Sequence, residues 1–248
     1  MAIDRNLWSR SIDVKNLPRW RCEICQKGFL EKDETRTYIE TPQYVKAQRN
    51  HQDWDPDWEF QHFSFLMRCN RSDCGAFVSL IGHTQWEEWF DGEFDHELSE
   101  VFRVFSVFPS LSIFHIPEDV PGRVRREIKR AFSLYWIDES AAAAALRASI
   151  ERLLDHLGVP KELPNSRGEI KSLTLHRRIE EFGKSRDYKE SLHALRVIGN
   201  LGAHGSSVEA DNVLDAMELL EDALHEILDL RKARVNALRD KLSGLPQT

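Results

Sequence analysis

Two short stretches, Arg21–Cys25 (RCEIC) and Arg68–Gly75 (RCNRSDCG), hold all four cysteines of this 248-residue chain. Cys22 and Cys25 form one pair, Cys69 and Cys74 the other, with 43 residues between them. Two knuckles of two thiolates each suit a tetrahedral zinc ion, which takes four soft ligands and has no directional demand of its own. The spacing therefore predicts structural zinc on Cys22, Cys25, Cys69 and Cys74, closing a ribbon-like β module. Two disulfides, or four unligated thiols, are the competing readings. The opening residues MAIDRNLWSR contain no apolar core of a secretory signal. No apolar run approaches the roughly 18 residues of a membrane span. A cytoplasmic location without a membrane partner is expected, and there thiols stay reduced, which favours metal over disulfides.

Outward from the second knuckle, EFQHFSFLMRC places Phe63, Phe65 and Met67 on one side by simple alternation, as in a half-buried strand. GAFVSLIG continues after the cysteines, so strand, knuckle, strand is the expected order. EVFRVFSVF, ending at Pro109, is a further strand candidate, and WDPDW (54–58) reads as a loop with Pro56 fixing its backbone. From Pro117 the period changes. Pro121 suits a helix start, and Val124, Ile128, Phe132 and Tyr135 recur at helical spacing. A second helix, capped by Ser140, carries Leu146, Ile150, Leu153 and Leu157 and stops at Gly158 and Pro160. Helices are also expected around IKSLTLHRRIEEFG and YKESLHALRVIGN, with a polar turn near Lys184–Asp187 between them. A last helix opens after Ser206, with Glu209 completing a capping box and Val213, Met217, Leu220, Leu224 and Ile227 as its buried stripe.

The fold class is thus α+β, with a β module over residues 1–112 and an all-α bundle over 113–248. Six of the seven tryptophans precede residue 90, which supports two domains. A hydrophobic content of 41% and a charged content of 30% describe a globular chain. The net charge of -7 excludes sequence-blind attraction to nucleic acid by charge alone, so such binding needs a local basic patch. No phosphate loop, nucleophile elbow or dinucleotide fingerprint is present.

Three stretches carry a family likeness: Val120–Val159, Gly168–Gly183 and, most specifically, LRVIGNLGAHGSS (195–207). The last matches the pattern Leu-Arg-x-Ile-Gly-Asn-x-x-Ala-His. On these residues the chain, over roughly 110 to 230 and with the strand FSVFPS before it, resembles domain-of-unknown-function family 4145, which looks like a branch of the HEPN superfamily of helical bundles. The resemblance implies a HEPN-like bundle that forms homodimers and recurs in prokaryotic defence or stress systems, with a defence-system protein as partner. Many relatives in the wider superfamily are metal-independent ribonucleases acting on RNA.

Such chemistry needs a group to take the 2′-OH proton and a cation to hold phosphate. His204 suits the first role, Arg196 the second, and Asn200 would orient substrate or imidazole. Catalytic relatives separate Arg and His by four to six residues, whereas seven lie between Arg196 and His204 here. On a continuous helix the two would stand about 12 Å apart along the axis. Gly199 and Gly202 would shorten that by breaking the helix. Alternatively the segment is structural, its glycines permitting close packing. Arg123, Arg126, Lys129 and Arg130 share a helix face and form a candidate RNA- or DNA-binding patch, extended by Arg125, Arg177 and Arg178. The same run also reads as a solvated face.

Overall fold

The computed structural model describes residues 3–13, 15–90, 96–182, 188–203, 207–228, 235, 238, 239 and 243. The protein is mixed α+β, an N-terminal antiparallel sheet followed by a helical region. It divides into two compact units, one of residues 4–111 and one from residue 112 onward that also includes Ile3.

Five strands build the sheet of the first unit: β1 (Ser11–Asp13), β2 (Leu30–Glu40), β3 (His62–Cys69), β4 (Phe77–Phe90) and β5 (His96–Phe108). Their order is β1-β5-β4-β3-β2, with every neighbouring pair antiparallel. Alternation assigns the two faces, since successive side chains point to opposite sides of a strand. Phe63, Phe65 and Met67 of β3 are buried, as are Val78 and Leu80 of β4 and Phe102 of β5. The Phe63 and Phe102 rings meet edge to face at 4.6 Å. A short helix α1 (Gln43–Gln48) buries Val45. Residues Pro56–Trp58 of the expected loop form one turn of 3-10 helix.

The second unit contains α2 (Gly122–Tyr135), α3 (Glu139–His156), a small hairpin of β6 (Glu162–Pro164) and β7 (Ile170–Ser172), α4 (Leu175–Phe182), α5 (Lys189–Ala203) and α6 (Ala210–Ile227). Helix α3 packs against α2, α5, α6 and α4. Its alanines and leucines, from Ala142 to Leu154, are the centre of the core. The α6 stripe of Val213, Met217, Leu220, Leu224 and Ile227 is buried throughout.

Local readings needed correction at three places. Asp138, not Ser140, caps α3: its backbone is extended and its carboxylate accepts from the Ala141 amide at 2.9 Å. Residues Ile170–Ser172 are paired with β6 rather than helical, so the expected helix is shortened to α4. Glu209 is itself the N-cap of α6 and makes no side-chain cap bond, while Ser206 and the turn Lys184–Asp187 lie outside the described residues.

Candidate metal centre and polar sites

Trp20 and Leu30 begin the first knuckle: the Leu30 amide donates to the Trp20 carbonyl at 2.9 Å, and Arg21 bridges Phe29. Inside this frame the Cys22 amide donates to the Gly28 carbonyl (2.9 Å) and the Gln26 amide to the Cys22 carbonyl (3.0 Å). Gln26 takes φ 54°, the left-handed turn that directs the chain back. The second knuckle is built alike, with the Cys69 amide donating to Ala76 (2.8 Å) and the Cys74 amide to Arg71 (3.1 Å). Asn70 ties the two together. Its amide donates to the Phe29 carbonyl at 2.9 Å, and its side-chain oxygen accepts from the Phe29 amide at 3.1 Å.

These bonds gather the four sulfur atoms within 4.8 Å of one another. Cys22 Sγ and Cys74 Sγ lie 3.7 Å apart, and so do Cys25 Sγ and Cys69 Sγ. Disulfides require about 2.05 Å, so these separations are not disulfides. Four sulfurs at 2.3 Å from one tetrahedral ion would stand about 3.8 Å apart. The donor set therefore fits a single metal ion. Gly28 is part of the cradle: a Cβ there would fall 2.6 Å from Cys69 Sγ and 2.9 Å from Asn70 Oδ1. Amides of Lys27 and Gly28 pointing at Cys25 lower its pKa to about 6. For Cys69 the Arg71 amide pulls downward, but burial and the neighbouring sulfurs prevail and push it to about 12. A dication at this site would favour thiolates at all four positions.

The other expected site residues lie on the helical unit. Arg196 and Asn200 are one turn apart on α5, and both are half-buried; Arg196 Nε is buried without a hydrogen-bond partner. His204 lies outside the described residues. Gly199 and Gly202 do not break the helix, which runs on to Ala203. They face α3 instead. A Cβ on Gly199 would sit 2.4 Å from Arg147 Cβ, and one on Gly202 would sit 2.3 Å from the Ser140 carbonyl oxygen. The glycines are there for close helix contact.

Arg123, Arg126, Lys129 and Arg130 are exposed on α2, with Arg130 3.7 Å from Glu127. Two arginines leave the extended patch. The Arg125 guanidinium donates to the carbonyls of Ile116, Pro117 and Glu118. Arg178 is 5% exposed, pairs with Asp155 at 2.8 Å and donates to the Val159 carbonyl. Asp155 also takes Lys161 at 2.9 Å. Burial alone would raise its pKa, but these two cations outweigh that and hold it below the usual carboxylate value.

One surface escaped the sequence reading. On the outer face of the sheet, Tyr38 (59% exposed), Phe77 (49%), Ile81 (51%), Phe105 (41%) and Phe108 (75%) accompany His62 and His83. His83 meets Phe105 edge to face at 4.9 Å and Phe60 at 5.4 Å. Tyr38, His62, Ile81, His83 and Phe105 border a depression of about 410 Å³. Arg68 lies over the Phe77 ring at 5.7 Å, while keeping an ion pair with Asp33 at 3.4 Å. The signal was present as the second alternating set of β3 and β4, hidden by attention to the buried one.

Residues 129–243 match the family model of a domain of unknown function (DUF4145), and residues 10–108 match that of a second domain of unknown function (DUF8608). The first match begins inside α2, so FSVFPS falls outside it. No curated protein and no solved structure matches the chain. Among the described residues no helix is long and apolar enough to cross a membrane.

Proposed function

We propose that this protein is a zinc-stabilised module that binds single-stranded nucleic acid across the outer face of its sheet. The observation that carries this is the aromatic strip itself. A solvated sheet face ordinarily presents polar side chains, whereas this one presents Tyr38, Phe77, Phe105 and Phe108. Exposed rings on a rigid sheet stack bases, each worth about 1–3 kcal/mol. Arg68 and Arg103 stand on the same face to meet phosphate, which a purely apolar protein-binding patch would not need. On the helical unit, the exposed row Arg123, Arg126, Lys129 and Arg130 is a separate candidate for phosphate contact. Zinc is the ion assigned to the cysteine quartet, because four thiolates in a closed tetrahedron are its usual structural setting. Its role is to hold β2 and β3 in place rather than to react.

The biological setting comes from the resemblance to HEPN-like bundles: a cytoplasmic component of prokaryotic defence or stress response, acting as a homodimer and with a system partner. Val197 (49% exposed) and Leu201 (42%), one turn apart on α5, support a dimer contact. A second reading, metal-independent endoribonuclease action by Arg196, Asn200 and His204, has one observation in its favour: the half-buried Arg196 carries an unpartnered Nε.

Fluorescence anisotropy of labelled single-stranded RNA and DNA with the purified full chain tests the binding reading. Phe105→Ala with Phe108→Ala should weaken binding at least tenfold while metal analysis still finds one zinc per cysteine quartet. Absence of binding to either strand type, or equal affinity in the variant, sinks it. RNA cleavage without added divalent ions, abolished by His204→Ala, would instead establish the second reading.

A further inference from the structure

We propose that His176, Glu180 and His193 form a second cation site, for a divalent ion of the zinc, cobalt or nickel kind, independent of the cysteine quartet. His176 and Glu180 stand at positions i and i+4 of α4, so their side chains leave the same side of that helix. His193 comes from α5, which packs beside α4. One donor atom from each residue lies within 4.8 Å of the other two. Ligand atoms bonded at 2.0–2.1 Å to a tetrahedral ion stand about 3.4 Å apart, so a modest side-chain rotation converts this cluster into a coordination shell.

The arrangement is partly set already. His193 Nε2 is 2.8 Å from Glu180 Oε1, and the two imidazole rings lie 4.9 Å apart at 40°. Lys189 Nζ binds the other carboxylate oxygen, Oε2, at 2.7 Å and so keeps Oε1 turned toward the imidazoles. His193 Nδ1 is buried with no hydrogen-bond partner. Two imidazoles and one carboxylate are a donor set of borderline softness, unlike the four sulfurs of the front unit. Three ligands leave at least one coordination position for water, and the exposed His176 gives access from solvent.

The competing state is a hydrogen-bonded Lys189–Glu180–His193 cluster with no ion, in which the ammonium neutralises the carboxylate. Cobalt distinguishes the two. Full-length protein, its cysteine quartet loaded with zinc, is titrated with Co²⁺ and followed by visible absorption and metal analysis. The expected result is one added equivalent with ligand-field bands and no sulfur-to-metal charge-transfer band. His176→Ala, at an exposed position, and the near-isosteric Glu180→Gln should each weaken that equivalent at least tenfold and leave the zinc content unchanged. No added equivalent in the wild type, or undiminished binding in both variants, overturns the proposal. A charge-transfer band on titration places the ion on cysteine sulfur and overturns it as well.

Discussion

The sheet unit and the helical unit both bury an apolar core, but the sheet unit also carries all four cysteines. In the helical unit α3 is surrounded by apolar stripes, and residues such as Leu146, Ile150, Leu153 and Leu220 are fully buried. In the sheet unit β2 is held at one edge of the sheet, and its start at Leu30 pairs with Cys69. The knuckle bonds around Phe29 and Asn70 are few. An ion at the sulfurs would add cross-links at the knuckle end, beside buried Trp20, Leu30 and Met67. The comparison sets a unit closed by apolar burial alone against one whose knuckle end also offers four sulfurs to an ion.

The largest effect should come from striking the coordination. Cys69→Ser, or a strong chelator, is expected to abolish the cooperative unfolding of the sheet unit while the helical unit keeps its far-ultraviolet circular dichroism. Limited proteolysis should then cut within residues 4–111 first. If the sheet unit stays intact and metal-free, coordination is not what closes it.

The matching strike on the helical unit is Asp155→Asn. It leaves the Arg178 guanidinium, 5% exposed, without its charge partner. Breaking a buried pair from one side costs about 3–5 kcal/mol. Asp155 is 19% exposed and Lys161 is 62% exposed, so solvent screening reduces the expected loss to about 2–3 kcal/mol. The pH dependence has a definite sign. Asp155 has a folded pKa below its unfolded value, so its contribution is fully present above the unfolded pKa of about 3.9. It is lost as pH falls through the lowered folded value. Denaturant midpoints of wild type and variant should converge in that acid range, with zinc content equal in both. An unchanged gap at every pH would remove Asp155 as the charge that matters.

These contrasts also show which features were legible in the chain. Cysteine spacing disclosed the quartet because two short pairs of soft donors match what one tetrahedral ion would require. The buried side of β3 and the stripe of α6 were legible as periods of two and of about 3.6. Ser140 and Asp138 are both good caps by type, and only the extended backbone at Asp138 (φ -156°) decides between them. Ile170–Ser172 fits a helical period but finds hairpin partners in Glu162–Pro164, a tertiary choice. The pairing of β1 with β5 links residues near 12 to residues near 102, and no local pattern encodes it. His176 and Glu180 could have been seen as an i, i+4 pair, but His193 reaches them only through helix packing.

Close packing in the helical unit gives a smaller effect. Gly199→Ala raises helix propensity, worth about 1 kcal/mol in its favour. Against that, the new methyl would lie 2.4 Å from Arg147 Cβ and 3.0 Å from the Ala143 carbonyl oxygen. Overpacking costs about 1–3 kcal/mol. One of the neighbours is backbone and the other is a side-chain root, so neither yields cheaply. A net loss of about 1 kcal/mol is expected in chemical denaturation, balancing those terms. A more stable variant would mean that α3 and α5 separate easily, and the glycines would then need another explanation.

The smallest effect on stability, and the sharpest on function, is expected on the exposed side of α2. Arg126 and Lys129 are both exposed there. Replacing both by alanine should change stability by no more than about 0.5 kcal/mol. If the row meets phosphate, each lost contact lowers the slope of log affinity against log salt by about 0.7 for a single strand. The double variant should therefore bind single strands with a slope shallower by about 1.4, whereas Phe105→Ala should lower affinity without altering the slope. That pairing tests each unit's surface by itself, rings on the sheet for stacking and cations on α2 for electrostatic attraction. An unchanged slope for Arg126→Ala with Lys129→Ala assigns binding to the sheet alone and leaves the α2 row as a solvated helix face.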